Sequence, residues 1–258
     1  MAQNFSLFIA YCNDVIQRQG FRLKYTYLDC LALFGVGGAH PGGLQLTQKI
    51  LAEENINNDT ILLEVGCGTG QTAAYLAQQY SCSVSTLDNS SMMVEKAQQR
   101  FSSLGLSIDA KVGDIENLPY PDKHFDIVLS ESVISFTNLI STIPELKRVL
   151  KPSGRLIAIE TILEQTISEE ERSQIVDFYS FPQLLTEGEW VKAFRDTEFH
   201  RIDVTKYEPR LEQVDEQHAA DYSLSETIDD ALLEILGKHE EIMHQNKNKL
   251  GFRIFRCS

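Results

Sequence analysis

The run Glu64-Val65-Gly66-Cys67-Gly68-Thr69-Gly70 holds the residues of this chain best arranged for chemistry. It follows an apolar stretch, Thr60 to Leu63, that reads as a buried strand, and precedes Thr72 to Ala77, which reads as a helix. Glycines at alternate positions let the backbone turn tightly and let a ligand approach without meeting a Cβ atom. The helix beyond them offers free N–H groups and the positive end of its dipole. A dinucleotide loop needs another glycine where this chain has Gln71, so a pyrophosphate ligand is disfavoured. Glu64, just before the glycines, suits a ligand with an ammonium group. Val84 to Asp88 reads as a second strand ending in a carboxylate. At the carboxyl edge of a sheet such a group accepts from both hydroxyls of a ribose. The competing reading of Asp88 is an ordinary turn-starting aspartate.

These residues need a sheet edge to hold them. Strand and helix alternate from Asp59 to Ile162, which predicts a mostly parallel sheet covered on both faces. Near Leu146 to Leu150 a helix is expected to stop at Pro152 and Gly154 and lead into a strand from Leu156 to Glu160. Phe199 to Thr205 and Gly251 to Arg256 alternate as strands and suit a pair near one edge of the sheet.

Three segments lie outside this sheet. Residues 1–54 carry Phe5, Phe8, Ile9, Cys12, Val15 and Ile16 at helical spacing, then a glycine-rich hinge from Gly35 to Gly43 and a helix from Leu44 to Glu54. Residues 163–198 read as two helices, with capping boxes at Ser168/Glu171 and Thr186/Glu189. Residues 208–249 carry a helical stripe through Ile228, Leu232, Ile235, Leu236, Ile242 and Met243; so long a connection reads as an inserted cap.

The glycine loop, Asp88, the helix start Asn89 to Ala97, the run Lys111-Val112-Gly113-Asp114-Ile115 and the strand Phe125 to Glu131 together resemble the motifs of the class I S-adenosylmethionine-dependent methyltransferases. The matches run from about Thr60 to Thr161. The resemblance implies an α/β fold: a Rossmann-like, seven-stranded, mostly parallel sheet with an antiparallel last strand, helices on both faces and helical lid additions. It implies S-adenosylmethionine as cofactor and S-adenosylhomocysteine as product. By it, Glu64, Gly66, Cys67, Gly68, Gly70, Asp88, Asn89, Met93, Gly113, Ser130 and Glu131 belong to the cofactor pocket. Asp114 would accept from the adenine amine and Ile115 would pack on the ring. Residues 1–54 are expected to form a lid and a first helix, and residues 55–258 the cofactor-binding core with insertions at about 163–198 and 208–249.

The branch with small-molecule acceptors fits best, among them ubiquinone and menaquinone C-methyltransferases and glycine and sarcosine N-methyltransferases. Amine enzymes acting on adenine or amides carry Asp/Asn-Pro-Pro-Tyr where this chain reads Ser130-Glu131-Ser132-Val133. Cytosine C5 enzymes need a Pro-Cys pair, which is absent. Catechol-type enzymes place carboxylates on Mg²⁺ where Ser130 stands, so no metal is expected, although Glu131 is adjacent. His40 is the candidate base, its alternative being a surface residue before a Pro-Gly-Gly turn. Glu131 could be a base or part of the pocket. Tyr25 and Tyr27 could line the acceptor pocket or serve as buried packing. Trp190 and Phe194, at i and i+4, read as core, and His218, His239 and His244 are assigned no role. A non-catalytic cofactor-binding protein on the same fold is the rival reading.

Composition narrows the partners. The 258 residues carry 23 Lys+Arg against 37 Asp+Glu, a net charge of −14, which opposes broad docking on nucleic acid. No apolar stretch approaches a membrane span, and no secretory leader pattern is evident. Cys12, Cys30, Cys67, Cys82 and Cys257 are irregularly spaced, as expected of reduced thiols in a cytoplasmic protein.

Overall fold

The apolar runs that the sequence spaces between helices do form the strands of one sheet. In the computed structural model, which describes residues 25–207, 222–225 and 229–258, the sheet has seven strands. These are β1 (Ile61–Val65), β2 (Ser83–Asp88), β3 (Asp109–Val112), β4 (Phe125–Glu131), β5 (Leu150–Leu163), β6 (Ile202–Thr205) and β7 (Leu250–Cys257). Their order is β3-β2-β1-β4-β5-β7-β6. The first five pair in parallel, and β7 runs antiparallel between β5 and β6. The strand order reverses between the parallel neighbours β1 and β4, which opens a crevice at their carboxyl ends.

The described helices are α1 (Tyr27–Phe34), α2 (Gly43–Ala52), α3 (Gln71–Tyr80), α4 (Ser91–Ser103), α5 (Leu139–Val149), α6 (Glu169–Tyr179), α7 (Glu187–Asp196) and α8 (Asp230–Gln245). Two apolar layers form, one on each face of the sheet. Trp190, Phe194, Phe199 and Phe255 pack with Leu63, Val128 and Leu156 on one side. Leu46, Ile50, Ala73, Leu76 and Phe101 pack with Leu62, Leu129 and Ile157 on the other. Trp190 and Phe194 stack with centroids 5.7 Å apart, as their helical spacing predicts. Cys30, Cys67, Cys82 and Cys257 are buried free thiols.

The expected strand from Phe199 starts at Ile202, and the start of β5 differs further from expectation. β5 starts at Leu150 and runs through Pro152 and Gly154, where the sequence predicts a break. The strand accommodates them with a register irregularity against β4, between the pairs Phe125↔Leu150 and Ile127↔Arg155. A Cβ at Gly154 would lie 2.9 Å from the Phe125 carbonyl oxygen, so glycine lets the strands close there.

Helix α1 is joined to α4 by a lysine. Lys96 on α4 donates to Ala32 O at 2.9 Å, to Leu33 O, to Ser223 O and to Ser225 Oγ. It thus supplies a cation at the carboxyl end of α1, where the last carbonyls lack helical partners. Gly35 caps that helix at φ +59°, and a Cβ there would lie 2.2 Å from Ser223 O. Both expected capping boxes, at Ser168/Glu171 and Thr186/Glu189, are present and open α6 and α7. The expected stripe falls on α8, with Leu232, Ile235 and Ile242 buried. The expected N-terminal helix, Ile228 and His218 lie outside the described residues. No helix among the described residues is long and apolar enough to cross a membrane.

Candidate active site

The glycine loop leaves β1 and is pinned at once to the neighbouring strand. Gly66 N and Cys67 N both donate to Leu87 O, at 2.9 and 3.0 Å. Gly66 and Gly70 adopt φ of +69° and +74°. A Cβ would lie 2.2 Å from Val133 Cγ2 at Gly66 and 2.6 Å from Phe101 Cζ at Gly70. Those two glycines serve packing. Gly68, at φ +50°, differs: an added Cβ would meet nothing within 4 Å. Gly68 also lines the cavity beside the loop.

Asp88 closes the other side of this space. Its Oδ2 accepts from Gly68 N and its Oδ1 from Ser90 N, both at 2.9 Å. An ionised carboxylate has about four acceptor positions, so roughly two remain for a ligand diol. Burial raises the Asp88 pKa, and the two backbone donors work against that rise. Beyond Asp88, Gly113 N donates to Asp88 O at 3.0 Å and carries the chain into Asp114 and Ile115. Asp114 uses Oδ1 for Glu116 N at 2.9 Å, which leaves its second oxygen for an amine.

A second group of carboxylates lies across the loop. Glu64 is buried, and its pKa is pushed well up by that burial and by the fields of Glu131 and Asp88. Glu131 Oε2 accepts from Thr72 Oγ1 at 2.8 Å, and Oε1 accepts from Thr47 Oγ1. His40 Nε2 lies 3.4 Å from Glu131 Oε1 and 3.2 Å from Thr47 Oγ1, with its side chain only 3% exposed. Its Nδ1 meets Pro41 O at 3.2 Å. His40 is therefore a buried partner of Glu131 and not a surface residue before a turn. The cavity lining, among the described residues, includes Glu64, Asp88, Asp114, Glu116 and Glu131 but no Lys or Arg. That set of acceptors suits the ammonium group of a cofactor and opposes a pyrophosphate.

The cavity holds about 1240 Å³. His40, Glu64, Gly66, Cys67, Gly68, Asp88, Asn89, Met93, Gly113, Asp114, Ile115, Glu131 and Tyr27 all line it. Gly70, Ser130 and Tyr25 do not. Ser130 is turned away because successive strand residues point to opposite faces. Its Oγ donates to buried Glu160 at 3.3 Å, while Glu131 faces the cavity. Sequence reasoning missed Thr47 and Thr72, which hold Glu131, and also Tyr179 and His239, which line the cavity. The only sequence signal for the hydroxyl pair was a polar residue among helical apolar ones.

Glu160 is a further omission. Its Oε1 accepts from Ile134 N at 3.1 Å, and Oε2 accepts from Ser135 N at 3.0 Å and Ser135 Oγ at 2.6 Å. This fixes the short turn Ile134–Phe136, next to Val133 and Phe136 in the cavity wall. Burial pushes its pKa from 4.5 to about 7, above what those donors alone would permit. The folded state then binds more protons than the unfolded one between those values, so this group's contribution to stability falls as pH rises through that window. Glu160→Gln does not titrate. Its stability deficit relative to wild type should therefore narrow from pH 4.5 to about 7. Thermal melts across that range check this, and a widening deficit would refute it.

Residues 63–158 match the family described as "Methyltransferase domain". Across 229 residues the chain is 41% identical to the Bacillus subtilis protein described as "Uncharacterized methyltransferase YodH", covering 89% of this chain and 97% of that one. It is 27% identical to "Phosphoethanolamine N-methyltransferase 1" of Arabidopsis thaliana, over 74% of this chain and 41% of that one. The fold also matches Haemonchus contortus phosphoethanolamine N-methyltransferase 2, solved with S-adenosyl-L-methionine. That match has a TM-score of 0.72 at 20% identity and covers 92% of this chain and 58% of the other. The chain belongs to the class I S-adenosylmethionine-dependent methyltransferases.

Proposed function

We propose that this methyltransferase passes a methyl group to a small-molecule acceptor by in-line displacement, in the cavity between the sheet edge and the helical cover. The observation that carries the reading is the juxtaposition of Gly68 and Asp88. Gly68 has nothing within 4 Å of its Cβ position, and Asp88 is oriented by Gly68 N and Ser90 N. Asp88 would hold the ribose hydroxyls of S-adenosylmethionine. Glu64 would face the ammonium group, and Gly66, Gly68 and Gly70 would shape the loop. Asp114 and Ile115 would take the adenine, with Asn89 and Met93 beside it.

The bound cofactor supplies a methyl group already activated on a sulfonium. The chain's own task is to align the acceptor and exclude water, which can supply roughly 7–11 kcal/mol of the barrier. Glu131, fixed by Thr47, Thr72 and His40, presents a rigid carboxylate beside the loop. We assign His40 to positioning Glu131, because both of its ring nitrogens already meet protein atoms. The cover would be residues 1–54 with the insertions at about 163–198 and 208–249, an arrangement supported by α1 and α8 residues in the cavity wall.

Calorimetry should show binding of S-adenosylmethionine and S-adenosylhomocysteine but not of NAD⁺. With acceptor, S-adenosylhomocysteine should accumulate at an initial rate unchanged by chelator. The absence of need for a metal is supported by Ser130, whose side chain is committed to Glu160. Binding of NAD⁺ instead would overturn the cofactor assignment, and a rate restored only by Mg²⁺ would overturn the metal-free one.

A further inference from the structure

The part of the cavity wall built by α1, α6 and α8 has a chemistry of its own. The side chains that α1, α6 and α8 give to it are apolar or aromatic, with His239 as the exception. Tyr27 stacks on His239 with centroids 5.0 Å apart and an interplanar angle of 23°. Tyr179 stacks on Phe181 at 5.1 Å and 22°, and meets Tyr27 edge to face at 5.0 Å. The Tyr179 hydroxyl and His239 Nδ1 share a hydrogen bond of 2.8 Å. That bond occupies one ring nitrogen and leaves Nε2 for a ligand. Burial lowers the His239 pKa, so the ring does not offer a fixed cation. With Tyr179 fixing the ring, Nε2 can accept from a hydroxyl or donate to an oxygen, depending on the tautomer.

We propose that the acceptor is an uncharged, largely apolar, planar molecule, and that it presents one hydroxyl or carbonyl oxygen to His239. This rests on the methyltransferase site described above and names its acceptor class. Among the described residues the wall offers a phosphate or carboxylate acceptor no Lys or Arg, and stripping such an anion of water without a partner is costly. An ammonium acceptor gains most over an open ring face. Here stacking commits one face of each of Tyr27, His239, Tyr179 and Phe181 to a neighbouring ring. A flat apolar ring instead gains from the aromatic edges and from displaced water. The likeness to phosphoethanolamine enzymes therefore does not extend to the acceptor.

The test uses three probes on one ring system with the full-length protein saturated by S-adenosylhomocysteine. These are 2-naphthol, 2-naphthyl phosphate and 2-naphthylmethylamine, which are neutral, anionic and cationic near neutral pH. Calorimetry should show 2-naphthol binding at least about tenfold more tightly than either charged probe, a difference of about 1.4 kcal/mol. His239→Phe, which keeps a ring against Tyr27, should weaken 2-naphthol about tenfold while leaving S-adenosylhomocysteine affinity unchanged. Equal or tighter binding of a charged probe, or no 2-naphthol binding, overturns the acceptor class and leaves the cofactor site standing. If His239→Phe binds 2-naphthol as wild type does, the role of His239 is overturned. Failure of S-adenosylhomocysteine itself to bind would overturn the cofactor reading and this proposal with it. The three-probe comparison on wild type decides the acceptor class even if the variant does not fold.

Discussion

Asp88→Ala should lower the affinity for S-adenosylmethionine and S-adenosylhomocysteine by roughly 10- to 150-fold. The estimate follows from the loss of charge-assisted hydrogen bonds worth about 1.5–3 kcal/mol, at about 1.4 kcal/mol per factor of ten. Two effects add in the same direction. The ligand loses the carboxylate positions that the backbone leaves open, and Gly68 N and Ser90 N lose the group that orients them. The substitution is on the cavity side of β2, so the apolar layers on either face of the sheet should survive it. Calorimetric titration, run beside a thermal melt, separates binding from folding. Unchanged affinity in a folded Asp88→Ala protein would remove Asp88 from the ribose role.

The glycines of the loop should divide into two classes when each is replaced by alanine. Gly70→Ala places a Cβ 2.6 Å from Phe101 Cζ and 2.9 Å from Ala97 Cβ, at φ +74°. Overpacking costs about 1–3 kcal/mol and the left-handed backbone about 1–2 kcal/mol more. For a domain of this size, that lowers the melting temperature on the order of 10 °C. Gly68→Ala meets no protein atom, so only the smaller backbone cost of about 1–2 kcal/mol applies. Its methyl group would instead occupy the space assigned to the ligand, and affinity should fall about tenfold or more while the melt drops by only about 2–8 °C. Melts and titrations of both variants decide the matter. A Gly68→Ala protein that binds normally would show that the open side of Gly68 is not where the cofactor lies.

Parts of this protein follow from local sequence alone. The loop between β1 and α3 is legible because strand periodicity, glycine spacing and helix onset all act over a few consecutive residues. The capping boxes at Ser168 and Thr186 are legible for the same reason, since the donor and acceptor sit three positions apart. The alternation that predicts β6 and β7 near an edge is likewise a property of each strand by itself. Even the place of Asp88 is local, because a carboxylate ending the strand beside the loop must come close to it once those two strands pair.

The tertiary structure decided what depends on residues far apart in the chain. Glu131 could be placed at the end of β4, but not its partners: Thr47 and His40 arrive from α2 and the loop before it, and Thr72 from α3. The Tyr179–His239 bond joins α6 to α8. Such pairs leave no periodic trace, because they depend on how elements dock and not on the dihedral pattern of either one. Ser130 and Glu131 show the limit most directly. The sequence puts both at the end of β4. The pleat sends Ser130 to Glu160 and Glu131 to the cavity, and only the position of β5 beside β4 makes the first of those partners available.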